Sequence, residues 1–260
     1  LVILGVMILI VMLLLYHRSS HQELLVSSIS TFEAKINEPE SKRVLTEEEL
    51  LEIYINDNLD IVSFFADVFQ INQDTLIERL KADYQSINLL NTTNLEYTLS
   101  EYLLALEDSN RELFDNSIDS CNDSKEYIIA LLKYFSKLYN NVDFSIAAAI
   151  VQIESGYTVQ SMLNRNNVFG GMSGGGLIKY KNIEYGILSY VKLLSDGYFG
   201  KGLTTVEDIG RVYNPTYNEN GVKIAKPSWV SKVNNAIDEF INMENDISIA
   251  EVLALKAIDE

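Results

Sequence analysis

The chain has 260 residues, a formal net charge of −17 and a single cysteine, Cys121. This length can bury a hydrophobic core without disulfides, and the strong negative charge argues against nucleic acid as a partner, because phosphate binding needs a basic surface. One cysteine excludes an intrachain disulfide and a cysteine-ligated metal cluster. Both histidines, His17 and His21, lie beside an N-terminal apolar run, so later domains have none for Ser-His-Asp catalysis or zinc ligation. We therefore expect no cofactor and no metal, and any hydrolytic chemistry must rest on carboxylates.

The chain begins with an uncharged, almost wholly aliphatic run, Leu1–Leu15, followed by Arg18. As a helix it spans about 22 Å, less than the roughly 30 Å of a bilayer core, so we expect residues upstream of Leu1. No small-residue cleavage pattern follows the run, which favours an uncleaved signal anchor over residues 1–18; a cleaved signal peptide and a buried core helix are the alternatives. Arg18 alone would place the bulk of the chain inside the cell, and lysines upstream would reverse that orientation.

Residues 19–44 show little periodicity and are interpreted as a stalk. Thr46 followed by three glutamates forms a capping box, which predicts a helix start, and apolar residues then recur at helical spacing from Leu50 to Val68. Further helical stretches are predicted near Thr75–Leu80, Tyr97–Leu106 and Lys125–Leu138.

Charge divides the chain after the anchor. Residues 19–142 carry 23 acids and 9 bases, whereas residues 143–242 carry 9 of each. We therefore predict an acidic helical region over 45–142, a charge-balanced domain over 143–242 and a helical tail over 243–260. Because the helix Lys125–Leu138 runs almost directly into the next one, we expect the helical region to pack against the following domain.

A helix starting at Asp143 or Ser145 should carry an apolar face of small residues and end at Glu154, since Ser155 and Gly156 stop it. A carboxylate at a helix C-terminus opposes the macrodipole, and here it also abuts an apolar face. Both effects favour the protonated carboxyl that a general acid needs. The alternative is a glutamate that frays into solvent.

The residues after Glu154 resemble the lysozyme-like glucosaminidases of glycoside hydrolase family 73. Glu154-Ser155-Gly156 is followed by Asn166-Asn167-Val168-Phe169-Gly170, then by Tyr180-Lys181 and a helix over Ile183–Leu194. The fourth piece is a closing signature, formed by Val212-Tyr213-Asn214-Pro215 together with the segment from Trp229 to Val233. The pattern covers about Phe144 to Ile241. The four pieces occur in the family's order.

The resemblance implies a mainly α, lysozyme-like α+β domain with a short β-hairpin, and Glu154 as the catalytic acid. It also places Tyr213 in the cleft. Tyr180, Tyr217 and Trp229 offer further stacking faces for sugar rings, with Trp229 equally compatible with a core position. Three residues are assigned to the turn that closes the cleft: Asn167, held by an Asx bond, Phe169 and Gly170.

Glycoside hydrolysis usually needs a second carboxylate. Glu184, Glu207 and Asp208 are interpreted as helix-cap residues, and Glu219, in a loop near Tyr213, is the candidate for a second acid. Many relatives carry that acid in the β-hairpin, but here the segment from Val168 to Lys181 contains none. The alternatives are the N-acetyl group of the substrate or a water held by Tyr213 and nearby asparagines. The glycines between 171 and 176 lack the lysine and the strand–helix context of a phosphate-binding loop.

The resemblance implies a peptidoglycan hydrolase that cleaves the β-1,4 bond after N-acetylglucosamine. A lytic transglycosylase and a non-catalytic, membrane-tethered glycan-binding scaffold are the alternatives. With the predicted anchor, we expect a single-pass protein whose C-terminal domain faces the wall of a Gram-positive bacterium. Its expected partners are the glycan strands, the plasma membrane and, through the anchor, a membrane protein.

Overall fold

The structure, a computed structural model, describes residues 44–115, 117, 124–243 and 246–259. The predicted anchor over 1–18, nearly all of the predicted stalk, both histidines and Cys121 lie outside these residues. In the part of the chain that the structure describes, no helix has the length and hydrophobicity required to cross a membrane. Residues from Glu47 onward form one compact unit, which is mainly helical as the sequence predicts.

The described residues of the first half of this unit form five α-helices and two 3-10 turns. The helices are α1 (Glu47–Asp57), α2 (Leu59–Phe69), α3 (Gln73–Asp83), α4 (Leu95–Ser109) and α5 (Lys125–Leu138), and the turns are Leu89–Asn91 and Arg111–Leu113.

Asn58 divides the long apolar pattern from Leu50 to Val68 into two helices. Its side-chain amide donates to the carbonyl oxygen of Tyr54 at 2.7 Å, and its own N–H donates to Ile55 at 3.1 Å. These bonds satisfy carbonyls at the end of α1. The periodicity predicts one helical run over this stretch and does not locate the break.

In the second half, the residues that the structure describes add six helices, one 3-10 turn and four short strands. The helices are α6 (Phe144–Glu154), α7 (Gln160–Leu163), α8 (Ile183–Gly197), α9 (Val206–Tyr213), α10 (Pro227–Phe240) and α11 (Ile249–Asp259); the turn is Phe199–Lys201 and the strands are β1 (Met172–Ser173), β2 (Gly176–Leu177), β3 (Pro215–Tyr217) and β4 (Lys223–Ala225).

The strands form two antiparallel hairpins. The first pairs β1 with β2 and lies where the sequence predicts a short hairpin. The second pairs β3 with β4 and was not predicted. Asn218 closes its turn by accepting from the N–H groups of Asn220 at 3.0 Å and Val222 at 2.9 Å, and Gly221 supplies a positive φ of 70°.

A continuous apolar core runs from α1 to α11. Helix α6 lies at its centre, because its residues from Phe144 to Val151 are all buried, and it packs most extensively against α10. Helix α5 packs against α6, α8 and α11, and α2 also contacts α8. The helical region and the charge-balanced segment therefore share one core.

Polar contacts reinforce this packing at the start of α8. The ammonium of Lys181, which is 8% exposed, donates to the carbonyl oxygen of Phe69 at 3.1 Å and pairs with Glu107. It lies 4.4 Å from the ring centroid of Tyr185, in a cation–π contact. Asn182 donates to carbonyl oxygens of α2, one of them that of Asp67 at 3.0 Å. The chain between β2 and α8 is thus fixed onto the helical region.

Candidate active site

The site is built at the C-terminal end of α6. Asp143 caps the helix start by accepting from the N–H of Ser145 at 2.8 Å, which selects it over the alternative start at Ser145. Glu154 is the last helical residue, and Gly156 leaves the helix with φ +55°. The sequence therefore predicts the end of this helix and narrows its start to two residues. Helix α6 is buried from Phe144 to Val151 and ends three residues later. The half-buried side chain of Glu154 therefore lies at the edge of the core.

Two residues from distant parts of the chain meet the Glu154 carboxylate. The indole N–H of Trp229, on α10, donates to Oε1 at 3.0 Å. Gly170 lies beside Oε2, and a Cβ at this glycine would be 3.4 Å from that oxygen. With φ +76°, Gly170 also has a backbone conformation that other residues rarely adopt. The positive φ is therefore what favours glycine, because a Cβ here would only reach van der Waals contact with the carboxylate.

Asn167 holds the turn that carries Gly170. Its side chain is fully buried, accepts from the N–H of Gly171 at 2.9 Å, and donates to the carbonyl oxygens of Gly171 and Ile178 at 2.9 and 2.8 Å. One side chain thereby satisfies three backbone groups and joins the turn to the chain that leaves the first hairpin. Asn167 therefore holds the turn as the sequence predicts, but through bonds to residues four and eleven positions on instead of the expected Asx bond to the backbone two residues on.

Aromatic rings support the turn and the acid together. Tyr213 stacks on Trp229 with centroids 5.6 Å apart, and its hydroxyl donates to the carbonyl oxygen of Phe169. The Phe169 ring stacks on Tyr190 at 4.5 Å and contacts Tyr180 at 5.7 Å. Tyr213 therefore links the tryptophan that binds Glu154 to the turn that faces it.

The tyrosines of this group are held in the neutral form. Burial, followed by the negative charge of Glu154, raises the pKa of Tyr213 well above its usual value. Burial also raises the pKa of Tyr190 strongly and that of Tyr180 to about 12. At neutral pH these hydroxyls can therefore donate hydrogen bonds, as Tyr213 does to Phe169.

Of the predicted site residues, six lie together with Glu154: Asn167, Phe169, Gly170, Tyr180, Tyr213 and Trp229. The other two lie on the second hairpin. Tyr217 is 70% exposed on β3, and Glu219 is exposed in the turn that follows. Neither has a hydrogen bond or ion pair that joins it to Glu154 among the described residues.

Two of the remaining acids of the segment have structural partners. Glu184 is buried, accepts from the hydroxyl of Tyr127 at 2.8 Å and pairs with Lys256 of α11 at 2.9 Å. Asp208 accepts from Thr205 at the start of α9 and pairs with Arg211. Asn182, rather than Glu184, caps α8, so Glu184 serves to bind the tail helix instead of capping its own.

Sequence reasoning assigned no role to Tyr190 or to the buried contacts of Lys181. Tyr190 is fully buried and donates to the carbonyl oxygen of Ala147 at 3.1 Å, which joins α8 to α6 beneath Phe169. Its position on the apolar face of α8 predicts that the ring is buried but does not predict that it stacks on Phe169. The partners of Lys181 are more than 70 residues away in the sequence, so no local pattern indicates them.

The arrangement presents one oriented carboxyl group at the edge of the core. Oε1 is occupied by the Trp229 N–H, which leaves Oε2 to exchange a proton with a bound group. Within the described ranges, no cluster of histidine, cysteine or acidic side chains is placed to hold a metal ion. Comparisons with protein-family models, curated proteins and solved structures give no significant match to this chain.

Proposed function

We propose that the protein is an endo-β-N-acetylglucosaminidase that cleaves the β-1,4 bond after N-acetylglucosamine in peptidoglycan, with a lysozyme-like arrangement around Glu154. The observation that carries this proposal is the Glu154 carboxylate, which accepts from Trp229 and faces Gly170 of the Asn-Asn-Val-Phe-Gly turn. These residues come from three of the four motifs that resemble family 73. Their convergence on one carboxylate supports an acid catalyst.

In this mechanism Oε2 of Glu154 carries the proton that is transferred to the glycosidic oxygen as its bond to the anomeric carbon breaks. Trp229 fixes the orientation of the carboxyl through Oε1, so the proton is presented in one direction. Water then supplies a hydroxyl to the anomeric carbon and a proton to the carboxylate. Positive charge at that carbon is stabilised by the N-acetyl group of the substrate, or by a water held near Tyr213.

A single acid also suits a lytic transglycosylase. The first hairpin, from Met172 to Leu177, has no acidic residue, and Glu219 lies on the separate second hairpin. In a transglycosylase one carboxyl acts first as acid and then as base, and the C6 hydroxyl of the muramic sugar replaces water. The two reactions differ in their products.

The products decide between these reactions. Purified full-length protein in detergent is incubated with cell-wall glycan, and the fragments are identified by mass spectrometry. We expect N-acetylglucosamine at the new reducing ends. Ends in 1,6-anhydro-muramic acid would instead identify a lytic transglycosylase, and no cleavage of any glycan would identify a scaffold.

We also propose that the protein acts outside a bacterial plasma membrane, tethered by the predicted anchor over residues 1–18. A tethered enzyme reaches only glycan next to the membrane, which suits the trimming of newly made strands. Protease added to intact protoplasts should digest the C-terminal 200-odd residues. Protection of those residues would contradict the location and the wall-hydrolase function together.

A further inference from the structure

A tyrosine in an unfavourable backbone conformation follows α6. Tyr157 has φ +62°, directly after Gly156 with φ +55°. A helix often ends with one left-handed residue, usually a glycine, but in tyrosine the Cβ atom makes this conformation costly. Within the described part of the chain, Tyr157 is the one aromatic residue with a positive φ. Such strain persists only where the surrounding structure enforces it, and it clusters at functional sites.

The side chain of Tyr157 enforces the strained turn. Its ring is 2% exposed, and its hydroxyl donates to the carbonyl oxygen of Ala148, inside α6, at 2.9 Å. Burial raises the pKa of Tyr157, so the hydroxyl keeps the proton that it donates. The N–H of Tyr157 donates to Oγ of Ser155 at 3.2 Å, and that hydroxyl donates to the carbonyl oxygen of Val151 at 3.1 Å. The chain beyond Glu154 is therefore tied back to the last turns of the helix that carries it.

The strained turn lies between the two sides of the carboxylate. Before it, α6 ends at Glu154, and after it the chain enters α7, where Met162 is buried. The Met162 side chain lies 3.6 Å from where a Cβ of Gly170 would be, and its carbonyl oxygen accepts from the N–H of Asn167 at 3.1 Å. The conformation at Tyr157 thus sets both the end of the helix that presents Glu154 and the direction of the chain that supports Gly170.

We propose that Tyr157 is a positioning residue: through its bond to Ala148 it holds the end of α6 so that the Glu154 carboxylate stays within reach of the Trp229 indole. Because its side chain is buried, it acts on the glycan only through Glu154. Without the bond the strained turn relaxes, the carboxylate is no longer held in one orientation, and proton transfer slows. The effect on catalysis rests on the proposed function, whereas the effect on the bond between Glu154 and Trp229 does not.

The chain has a single tryptophan, so the indole N–H of Trp229 gives one signal in the ¹H–¹⁵N spectrum of the full-length protein in detergent. A hydrogen bond to a carboxylate moves that proton signal downfield, and Glu154→Ala gives its position without the bond. In Tyr157→Phe, which keeps the ring and loses the hydroxyl, we expect the signal to move toward the Glu154→Ala position.

Tyr134→Phe is the matched control. It removes a buried tyrosine hydroxyl of α5 that has no hydrogen-bond partner in the described ranges. Its indole signal should therefore stay at the wild-type position.

The rate of glycan cleavage gives the second readout. At a temperature where circular dichroism shows both variants folded, Tyr157→Phe should lower kcat about tenfold and leave KM within about twofold of the wild type, because a misoriented acid slows the chemical step and not glycan binding. Tyr134→Phe should keep the wild-type values of both constants.

An unshifted indole signal in folded Tyr157→Phe would overturn the proposal, even if kcat fell, because Tyr157 would then act on stability alone. A shifted signal with wild-type kcat would overturn the positioning role in catalysis. Should the wild type cleave no glycan, the proposed function fails, and the indole signal still shows whether Tyr157 holds Glu154. If Tyr157→Phe does not fold, Ser155→Ala, which removes the acceptor of the Tyr157 N–H, is expected to give the same shift, and a wild-type signal there contradicts the proposal.

Discussion

The helical region before residue 143 and the charge-balanced segment after it bury different kinds of side chain. In α1 to α5 the buried polar residues are two serines, Ser100 and Ser136. The stretch from Ser145 to Ser195 instead buries three asparagines and two charged residues: Asn166, Asn167, Lys181, Asn182 and Glu184. Helical packing is non-directional, whereas the turn beside Glu154 must keep one geometry.

This difference separates the groups that stabilise the fold from those that position the turn beside Glu154. Apolar burial stabilises the whole unit, because its free energy scales with buried area and depends little on direction. Hydrogen bonds from buried side chains add less free energy each but fix distances and angles. We therefore expect substitutions in the two regions to have similar effects on stability and different effects on activity.

The largest effect is expected from a matched pair of truncations. Leu99→Ala, in the fully buried face of α4, should lower the free energy of unfolding by about 2–5 kcal/mol through lost burial and a cavity. Asn167→Ala should cost roughly 2–3 kcal/mol, because the N–H of Gly171 and the carbonyl oxygen of Ile178 lose their partner. Chemical denaturation measures both.

Only Asn167→Ala should also reduce glycan cleavage at a temperature where both variants are folded, because it releases the turn beside Glu154. Equal cleavage by the two variants would contradict the separation of stability from positioning.

A smaller difference in the free energy of unfolding is expected between variants of two lysines in the charge-balanced segment. Lys181→Met removes a buried ion pair with Glu107 and should cost about 3 kcal/mol. Lys192→Met removes the pairs with Glu101 and Asp196, which are more exposed, and should cost below about 1 kcal/mol. Urea unfolding of both variants checks the ranking. If Lys181→Met is as stable as Lys192→Met, the buried pair between the two regions does not stabilise the fold as expected.

The smallest expected effect is on the pH dependence of stability in alkaline solution. Burial raises the pKa of Tyr180 to about 12, against 10.0 for a free tyrosine. Between these values the unfolded chain loses a proton that the folded chain keeps, so stability falls as pH rises from 10 toward 12.

Tyr180→Phe should make this fall less steep, as followed by thermal unfolding at several pH values. Tyr217→Phe is the control, since its ring is 70% exposed in the folded chain. An unchanged slope in Tyr180→Phe would show that other groups account for the alkaline loss.

The sequence predicted those parts of the molecule that depend on local patterns. The limits of α5 and the end of α6 at Glu154 match the structure, because Ser124 and Asp143 cap these helices and Gly156 stops α6. The Asn167 turn was likewise expected from its neighbours. Such features depend on residues within one or two helical turns.

The break at Asn58 and the second hairpin were missed, although Asn220-Gly221 is a turn signal between two short strands. The hydrogen bond from Trp229 to Glu154 joins residues 75 positions apart, and that from Lys181 to Phe69 joins residues 112 positions apart. The resemblance places Trp229 near the cleft, but it does not show whether this residue lies in the core or contacts the acid. Trp229 is both, since it is 4% exposed and binds Glu154.

The most direct test of the account is the rate of glycan cleavage by Glu154→Gln. Glutamine keeps the size of the side chain and can still accept from Trp229, but it cannot donate a proton to the leaving oxygen. We expect cleavage to fall by a factor on the order of 10² to 10⁴ with unchanged circular dichroism. The control is Glu239→Gln, an exposed glutamate on α10 that pairs with Lys125, which should cleave like the wild type. Wild-type cleavage by folded Glu154→Gln would contradict the central claim that this carboxyl is the acid.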